Sequence, residues 1–284
     1  MVKSANFTQK GKEPINNLLK SAIYGLAIGD ALGVPVEFKA RGSFKVSDMV
    51  GYGSHYQPLG TWSDDTSMTL ATCHSIKVCG CIDTADMLNR FRLWAHAGEY
   101  AIDHNVFDIG GTTAAALRSG VGRSDERSNG NGSLMRIIPL VFTDASKEEI
   151  EAVSAITHVH DISKAACVCY VEIARELLSG KRLADILESL DCPFDRVKGI
   201  AALDEAEIKS SGYVVSTLEA ALWAVATTDN YKDAVLKAVN LGSDTDTVGA
   251  VAGGLAGIIY GLEGIPGEWL EALRGKEIIE TCLF

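Results

Sequence analysis

The stretch that most constrains this fold lies near the C-terminal end, where Gly242-Ser243-Asp244-Thr245-Asp246-Thr247 runs into Val248 to Tyr260. From 247 to about 260 the chain is small or apolar on nearly every side, with Gly249, Gly253, Gly254 and Gly257 among the alanines. A helix without a polar face is a buried one, and its glycines let neighbours approach closely. The turn before it crowds two carboxylates and three hydroxyls into residues 243–247. Ser, Asp and Thr are favoured helix N-caps, because a short side-chain oxygen can accept from the free N–H groups of the first turn. One Asp and one Thr would meet that need. The remaining oxygens, with no His or thiolate beside them, suit a hard cation such as Mg²⁺ or Mn²⁺. Ser63-Asp64-Asp65-Thr66 has the same chemistry and also opens a helical pattern. Either cluster alone reads as a cap; the pair points to one shared metal site closed by the fold.

The rest of the chain is written in helical periods. Ile15, Leu18, Leu19, Ala22, Ile23, Leu26 and Ala27 form one apolar face. Further helices are expected after Thr66, around Met87 to Ala95, over Ile109 to Leu117, and from Ile162 to Leu177. Leu218 to Ala226 and Tyr231 to Val239 follow. No alternating run reads as a strand, and no linker or tandem repeat divides the chain. The expectation is an all-α fold: a flexible polar lead at 1–14, then a single multi-helix domain over 15–284. Two irregular stretches, 39–59 and 118–133, are long enough to be functional loops.

A net charge of −11 argues against nucleic acid and against an anionic membrane surface as partners. The first thirteen residues lack the apolar segment of a signal peptide, and Val248 to Tyr260 is too short to span a bilayer. Seven cysteines, an odd total with no CxxC, fit no complete disulfide framework and read mostly as small apolar fillers. These features describe a soluble, cytoplasmic protein. Nothing in the sequence states its oligomeric state, and a monomer is the simpler expectation.

Six motifs follow one another in order: Gly29-Asp30-Ala31-Leu32-Gly33 with Glu37, Gly60 to Thr66, and Asp108-Ile109-Gly110-Gly111-Thr112-Thr113; then Asn129 to Arg136, Thr157-His158, and Asp244 to Thr247. Together they resemble the ADP-ribosylglycohydrolase family over about Leu18 to Tyr260. The resemblance implies an all-α fold, a dinuclear Mg²⁺ or Mn²⁺ centre, and hydrolysis of the bond joining ADP-ribose to a protein side chain. Its metal ligands would be Ser63, Asp64, Asp65, Asp244, Asp246 and Thr247. Ser63 stands where relatives more often have Thr, and Ser243 where Gly is common. Two cations roughly 3.5–4 Å apart would offset converging carboxylates and lower the pKa of a bound water.

Glu37, Asp65 and Asp108 are the catalytic candidates, since glycosidic cleavage needs a protonated leaving group and a directed water. The resemblance implies that Glu37 is a base or an extra ligand, and it associates Asp108 with arginine-linked substrates. Asp108 reads equally as an acid–base group or as the N-cap of the 109–117 helix. Asn129, Gly130, Asn131, Gly132 and Ser133 can form a backbone nest for phosphate, or an ordinary turn. His158 would touch the ribose or diphosphate, or else be a buried cap. Arg136 is open between pyrophosphate and a structural ion pair, Met135 belongs to the core, and Asp30 is a structural cap. The substrate expected is an ADP-ribosylated protein, with arginine linkage ahead of serine or ester linkages. A non-enzymatic relative of the same fold is the remaining alternative.

Overall fold

In the computed structural model, which describes residues 15–284, twelve α-helices follow one another. They are α1 (Ile15–Gly33), α2 (Asp64–Cys79), α3 (Thr84–Ala97), α4 (Gly111–Ser119), α5 (Lys147–Ala155) and α6 (Asp161–Leu178), then α7 (Leu183–Ser189), α8 (Val214–Ala226), α9 (Tyr231–Val239), α10 (Thr245–Tyr260), α11 (Gly267–Ala272) and α12 (Lys276–Cys282). Among the described residues there are no strands, only isolated bridges such as Tyr52 with Gln57. The all-α expectation holds. The lead expected at 1–14 lies outside the described residues.

The axis of the molecule is an antiparallel seam between α1 and α10. Gly25, Gly29 and Gly33 recur every fourth residue, so they share one face of α1. A Cβ at Gly25 would fall 2.4 Å from the Gly253 carbonyl oxygen, one at Gly29 2.0 Å from that of Gly249, and one at Gly33 2.3 Å from Asp246 Cα. At the far end, a Cβ on Gly257 would meet the Ser21 carbonyl oxygen at 2.3 Å. The two backbones touch, and only hydrogen fits between them. Tyr231 closes over the seam by donating to the Gly25 carbonyl at 2.7 Å, and Tyr170 donates to the Val251 carbonyl at 3.0 Å. Residues 17–36 are long and apolar enough to cross a membrane by composition, yet 94% of their apolar 18-residue window is buried in this fold.

Local chemistry sets the helix ends. Ser146 and Glu149 form a capping box at the start of α5. Asp83 caps α3, and glycines in the left-handed conformation close α2, α3 and α4. Helices α5, α7, α11 and α12 were not anticipated from periodicity; the last three, at seven, six and seven residues, hold too few turns to display an apolar face. Cys169 on α6 and Cys192 beyond α7 form a disulfide, which corrects the reading of these two as fillers. Their sequence separation of 23 left no signal, because the return of the chain after α7 brings them together. The other five cysteines are free.

Candidate metal centre and substrate cleft

The site is built where three helix ends meet. Asp30, in the last turn of α1, is fully buried, and its carboxylate caps α2 from outside. It accepts from Ser63 N at 2.9 Å, Thr66 N at 3.0 Å and Thr66 Oγ1 at 2.6 Å. At the same end of α1, Thr245 Oγ1 donates to the Gly33 carbonyl at 2.8 Å and fixes the start of α10. The N-termini of α2 and α10 are thereby drawn together, and Thr247 Oγ1 reaches Asp65 Oδ2 at 3.3 Å across 182 residues of sequence. Ser63 Oγ donates to the same oxygen at 3.1 Å. Two helix N-termini offer partial positive charge to carboxylates held there.

The loop after α1 adds a second layer. Glu37 follows a short 3₁₀ turn, Val34–Val36, and the next residues are stitched to the 240–244 turn. Phe38 N donates to the Ser243 carbonyl at 2.7 Å and Ser243 N to the Lys39 carbonyl at 2.8 Å. Ser243 adopts φ +65°, the left-handed conformation that a glycine takes without strain, and these paired hydrogen bonds hold it there. A further turn, Gly53–His55, brings His55 against Glu37 in a close Nε2–Oε2 contact, with Asp108 Oδ1 3.9 Å away. Ligand atoms of Glu37, His55, Asp108 and Asp246 all lie within 4.8 Å of one another. His55 was missed in the sequence, where an isolated histidine in an irregular loop has no ligand spacing to mark it. Asp108 is not the cap of α4: Gly110 holds that position without a side-chain bond, and Asp108, at φ +62°, turns to Glu37 and His55.

The donor set fits hard cations. Asp65 and Asp246 are fully buried, and Asp65 Oδ1 and Asp246 Oδ2 have no hydrogen-bond partner. Buried carboxylate oxygens are left unpaired only where something else meets them. Burial, compounded by neighbouring carboxylates, raises the pKa of Asp64, Asp65 and Asp246 well above the ordinary range. Burial and Asp244 push Glu37 up to about 8, and burial and Glu37 push Asp108 up to about 7. So many acids in one place demand protons or metal ions, and oxygen donors with one histidine at the edge suit hard cations better than soft ones.

Above the acids opens a cleft of about 570 Å³, lined by Glu37, Asp64, Asp108, Asn131, His158 and Asp244 among others. The 129–133 segment forms its far wall by pairing with the turn before α8: Asn131 N donates to the Gly212 carbonyl at 3.0 Å and Val214 N to the Asn129 carbonyl at 3.0 Å. Asn131 Nδ2 spans Thr217 Oγ1 at 2.9 Å and Asp244 Oδ2 at 2.8 Å, so it steers a carboxylate at the cleft. Gly130 and Gly132 face the cleft, and a Cβ on Gly132 would strike Thr113 Oγ1 at 2.9 Å. Two side chains of this segment point away from the cleft, which leaves at most their backbone to face it. Ser133 is fully buried with its hydroxyl bonded to Ser154 at 2.9 Å, and the Asn129 carboxamide is held by Ser163 at 3.0 Å. Ser133 lies in the turn at 132–136, and Asn129 directly follows the 3₁₀ turn Glu126–Ser128. His160, not His158, caps α6. A second hollow of about 630 Å³ beside the disulfide is lined by charges of both signs, among them the Lys164–Asp161 pair at 2.8 Å.

Comparison with known proteins agrees with this geometry. The ADP-ribosylglycohydrolase family profile matches residues 12–283. The chain is 38% identical over 280 residues to the ADP-ribosylarginine hydrolase Tri1 of Pseudomonas putida, covering 92% of this chain and 75% of that one. It is 32% identical over 279 residues to the ADP-ribosyl-dinitrogen reductase glycohydrolase of Rhodospirillum rubrum, covering 90% of each. A solved structure described as an ADP-ribosylglycohydrolase-related protein complex superposes with a TM-score of 0.79 at 33% identity, over 94% of this chain and 96% of that one. With the family profile matched over 12–283 and relatives 32–38% identical over most of its length, the chain belongs to the ADP-ribosylglycohydrolase family.

Proposed function

We propose that this enzyme hydrolyses the bond between ADP-ribose and an arginine side chain of a modified protein, with two divalent cations, Mg²⁺ or Mn²⁺, in its centre. The observation that carries the reading is the meeting of Asp64 and Asp65 with Asp244, Asp246 and Thr247 beneath one cleft, with two buried carboxylate oxygens unpartnered. Ser63, Asp64, Asp65, Asp244, Asp246 and Thr247 would hold the ions. When bound, they supply positive charge that grips ribose hydroxyls and acidifies water.

The chain's own residues do the rest. Asn131 holds Asp244 in place, and Asp30 fixes the start of α2 so that Asp64 and Asp65 present their oxygens together. The glycines at 130 and 132 leave room for a diphosphate to lie against backbone. Glu37 and Asp108 both approach His55, and burial raises both carboxyls above their ordinary range, so one of the pair can hold a proton while the other is ionised. The protonated member can give its proton to the leaving nitrogen while the ionised one takes a proton from the attacking water. Two carboxyls at this mouth also favour a guanidinium over a neutral serine oxygen as the group presented. Relatives named for arginine-linked substrates support that choice. The test is release of free ADP-ribose from arginine-, serine- and ester-linked substrates side by side, with and without a chelator. Faster release from serine or ester linkages would overturn the arginine assignment, and full activity in chelator would overturn the metal.

A further inference from the structure

The mechanism leaves one buried cation unused. Arg136 is fully buried, and among the described residues it has no carboxylate within ion-pair distance. Its guanidinium lies 4.4 Å from the centre of the Phe91 ring, and its Nη1 has no hydrogen-bond partner. Burial of so large a charge without a counter-ion is costly, so its remaining contacts carry its reason for being there. Nε donates to the Gly132 carbonyl at 3.2 Å, and Nη2 donates to Thr157 Oγ1 at 2.9 Å and to the Val153 carbonyl at 3.3 Å. Thr157 Oγ1 in turn lies 2.8 Å from His158 Nδ1.

The order of donors in this chain is decided by arithmetic. A guanidinium has no acceptor, so Thr157 Oγ1 accepts from Arg136 and keeps its own proton to give. The only acceptor in reach of that hydroxyl among the described residues is His158 Nδ1. Nδ1 is therefore bare, and the ring proton sits on Nε2. Nε2 has no partner among the described residues, and it lies beside Gly130 and Gly132, 3.6 Å from where a Cβ on Gly130 would stand. His158 lines the cleft while being 1% exposed. Burial and the Arg136 charge push its pKa down to about 3, which agrees with a neutral ring.

We infer that Arg136 and Thr157 are positioning residues that lock His158 in its neutral Nε2–H form, making it a fixed hydrogen-bond donor to an oxygen of the substrate between Gly130 and Gly132. His158 then binds and does not shuttle protons. The same guanidinium holds the Gly132 carbonyl, so one residue sets both the ring and the backbone beside it. The substrate half of this inference rests on the reading that the cleft takes ADP-ribose; the tautomer does not.

The test pairs nitrogen NMR of isotope-labelled histidine with calorimetric binding of free ADP-ribose, on the full chain loaded with Mg²⁺. In the wild type, His158 should show a protonated Nε2 and a bare Nδ1 at neutral pH. Thr157→Val removes the donor and should give a mixed or Nδ1-protonated ring, with ADP-ribose binding weakened roughly three- to tenfold, the loss of one neutral hydrogen bond. Thr157→Ser keeps the hydroxyl and should restore both the spectrum and the affinity, which a purely packing role would not do. A wild-type ring protonated on Nδ1 or on both nitrogens overturns the inference, as does Thr157→Val with tautomer and affinity unchanged. Should Thr157→Val not fold, the wild-type spectrum and the Thr157→Ser variant still decide. Wild-type protein that bound no ADP-ribose would overturn the reading of the cleft, while the nitrogen shifts would test the tautomer on their own.

Discussion

Replacing Gly33 by Ala should separate the two jobs of the α1–α10 seam, holding the fold and aiming the metal ligands. Its Cβ would fall 2.3 Å from both Cα and N of Asp246 and 2.4 Å from the Thr245 carbonyl carbon. All three are backbone atoms, so no side chain can rotate away, and α10 must shift by on the order of 1 Å to regain ordinary contact distances. Overpacking of this kind costs about 1–3 kcal/mol, and since Gly33 ends its helix, little of alanine's helix-propensity advantage of up to about 1 kcal/mol offsets it. Gly257→Ala is the matched control. Its Cβ would strike the Ser21 carbonyl oxygen at 2.3 Å, an equal clash eleven residues further along α10, about 16 Å from the site. Gly33→Ala should lose about 2 kcal/mol, a fall of about 4–8 °C in Tm for a chain of this size, and Gly257→Ala about half as much, because alanine's propensity inside α10 offsets part of the same clash, both measured in chelator. Metal ligands tolerate displacements of only about 0.2 Å, so calorimetric Mn²⁺ titration should show at least a tenfold loss for Gly33→Ala and less than threefold for Gly257→Ala. Equal losses of metal affinity in the two variants, or none in Gly33→Ala, would refute the view that this seam aims Asp246 and Thr247.

Three other outcomes follow from the same geometry. Asp64→Ala or Asp246→Ala should abolish turnover while leaving the helical circular dichroism nearly intact, and activity retained in both would remove the metal mechanism. In chelator, stability should fall as pH rises from about 5 to 8: Asp30 at about 6, Asp108 at about 7 and Glu37 at about 8 all titrate above their unfolded values, so the folded state holds extra protons that it must release. Saturating Mg²⁺ should flatten that slope, and denaturation profiles with the same slope in both conditions would contradict it. Ser243→Gly relieves a left-handed serine and should raise Tm by about 1–4 °C with activity kept; an unchanged or lower Tm would show that the Ser243 conformation is unstrained.

Much of this was legible in the residues. The apolar faces of α1, α6, α8 and α9 repeat over enough turns to be read directly, and the all-round small surface of α10 announces a buried helix. The two acidic corners were visible as caps with oxygens to spare. Short helices such as α7 and α11 were not, because one or two turns display no period. His55 was hidden for another reason: only the turn at 53–55 and its contact with Glu37 give it a place. Asp108, open between cap and acid–base group, was placed beside Glu37 and His55 by a left-handed backbone that local preference would not choose. Asn129 and Ser133 match the motif by residue type, yet their side chains are turned inward by contacts with α5 and α6.

By itself, the sequence determined which segments are helical, which one must be buried, and which oxygens gather at which helix start, since these depend on neighbours a few residues away. Tertiary structure alone decided that the starts of α2 and α10 stand together. That meeting is set by Asp30 reaching across to cap α2 and by glycines that let α1 and α10 touch along their length. The pairings join residues far apart in the chain, and nothing local in either partner specifies the other.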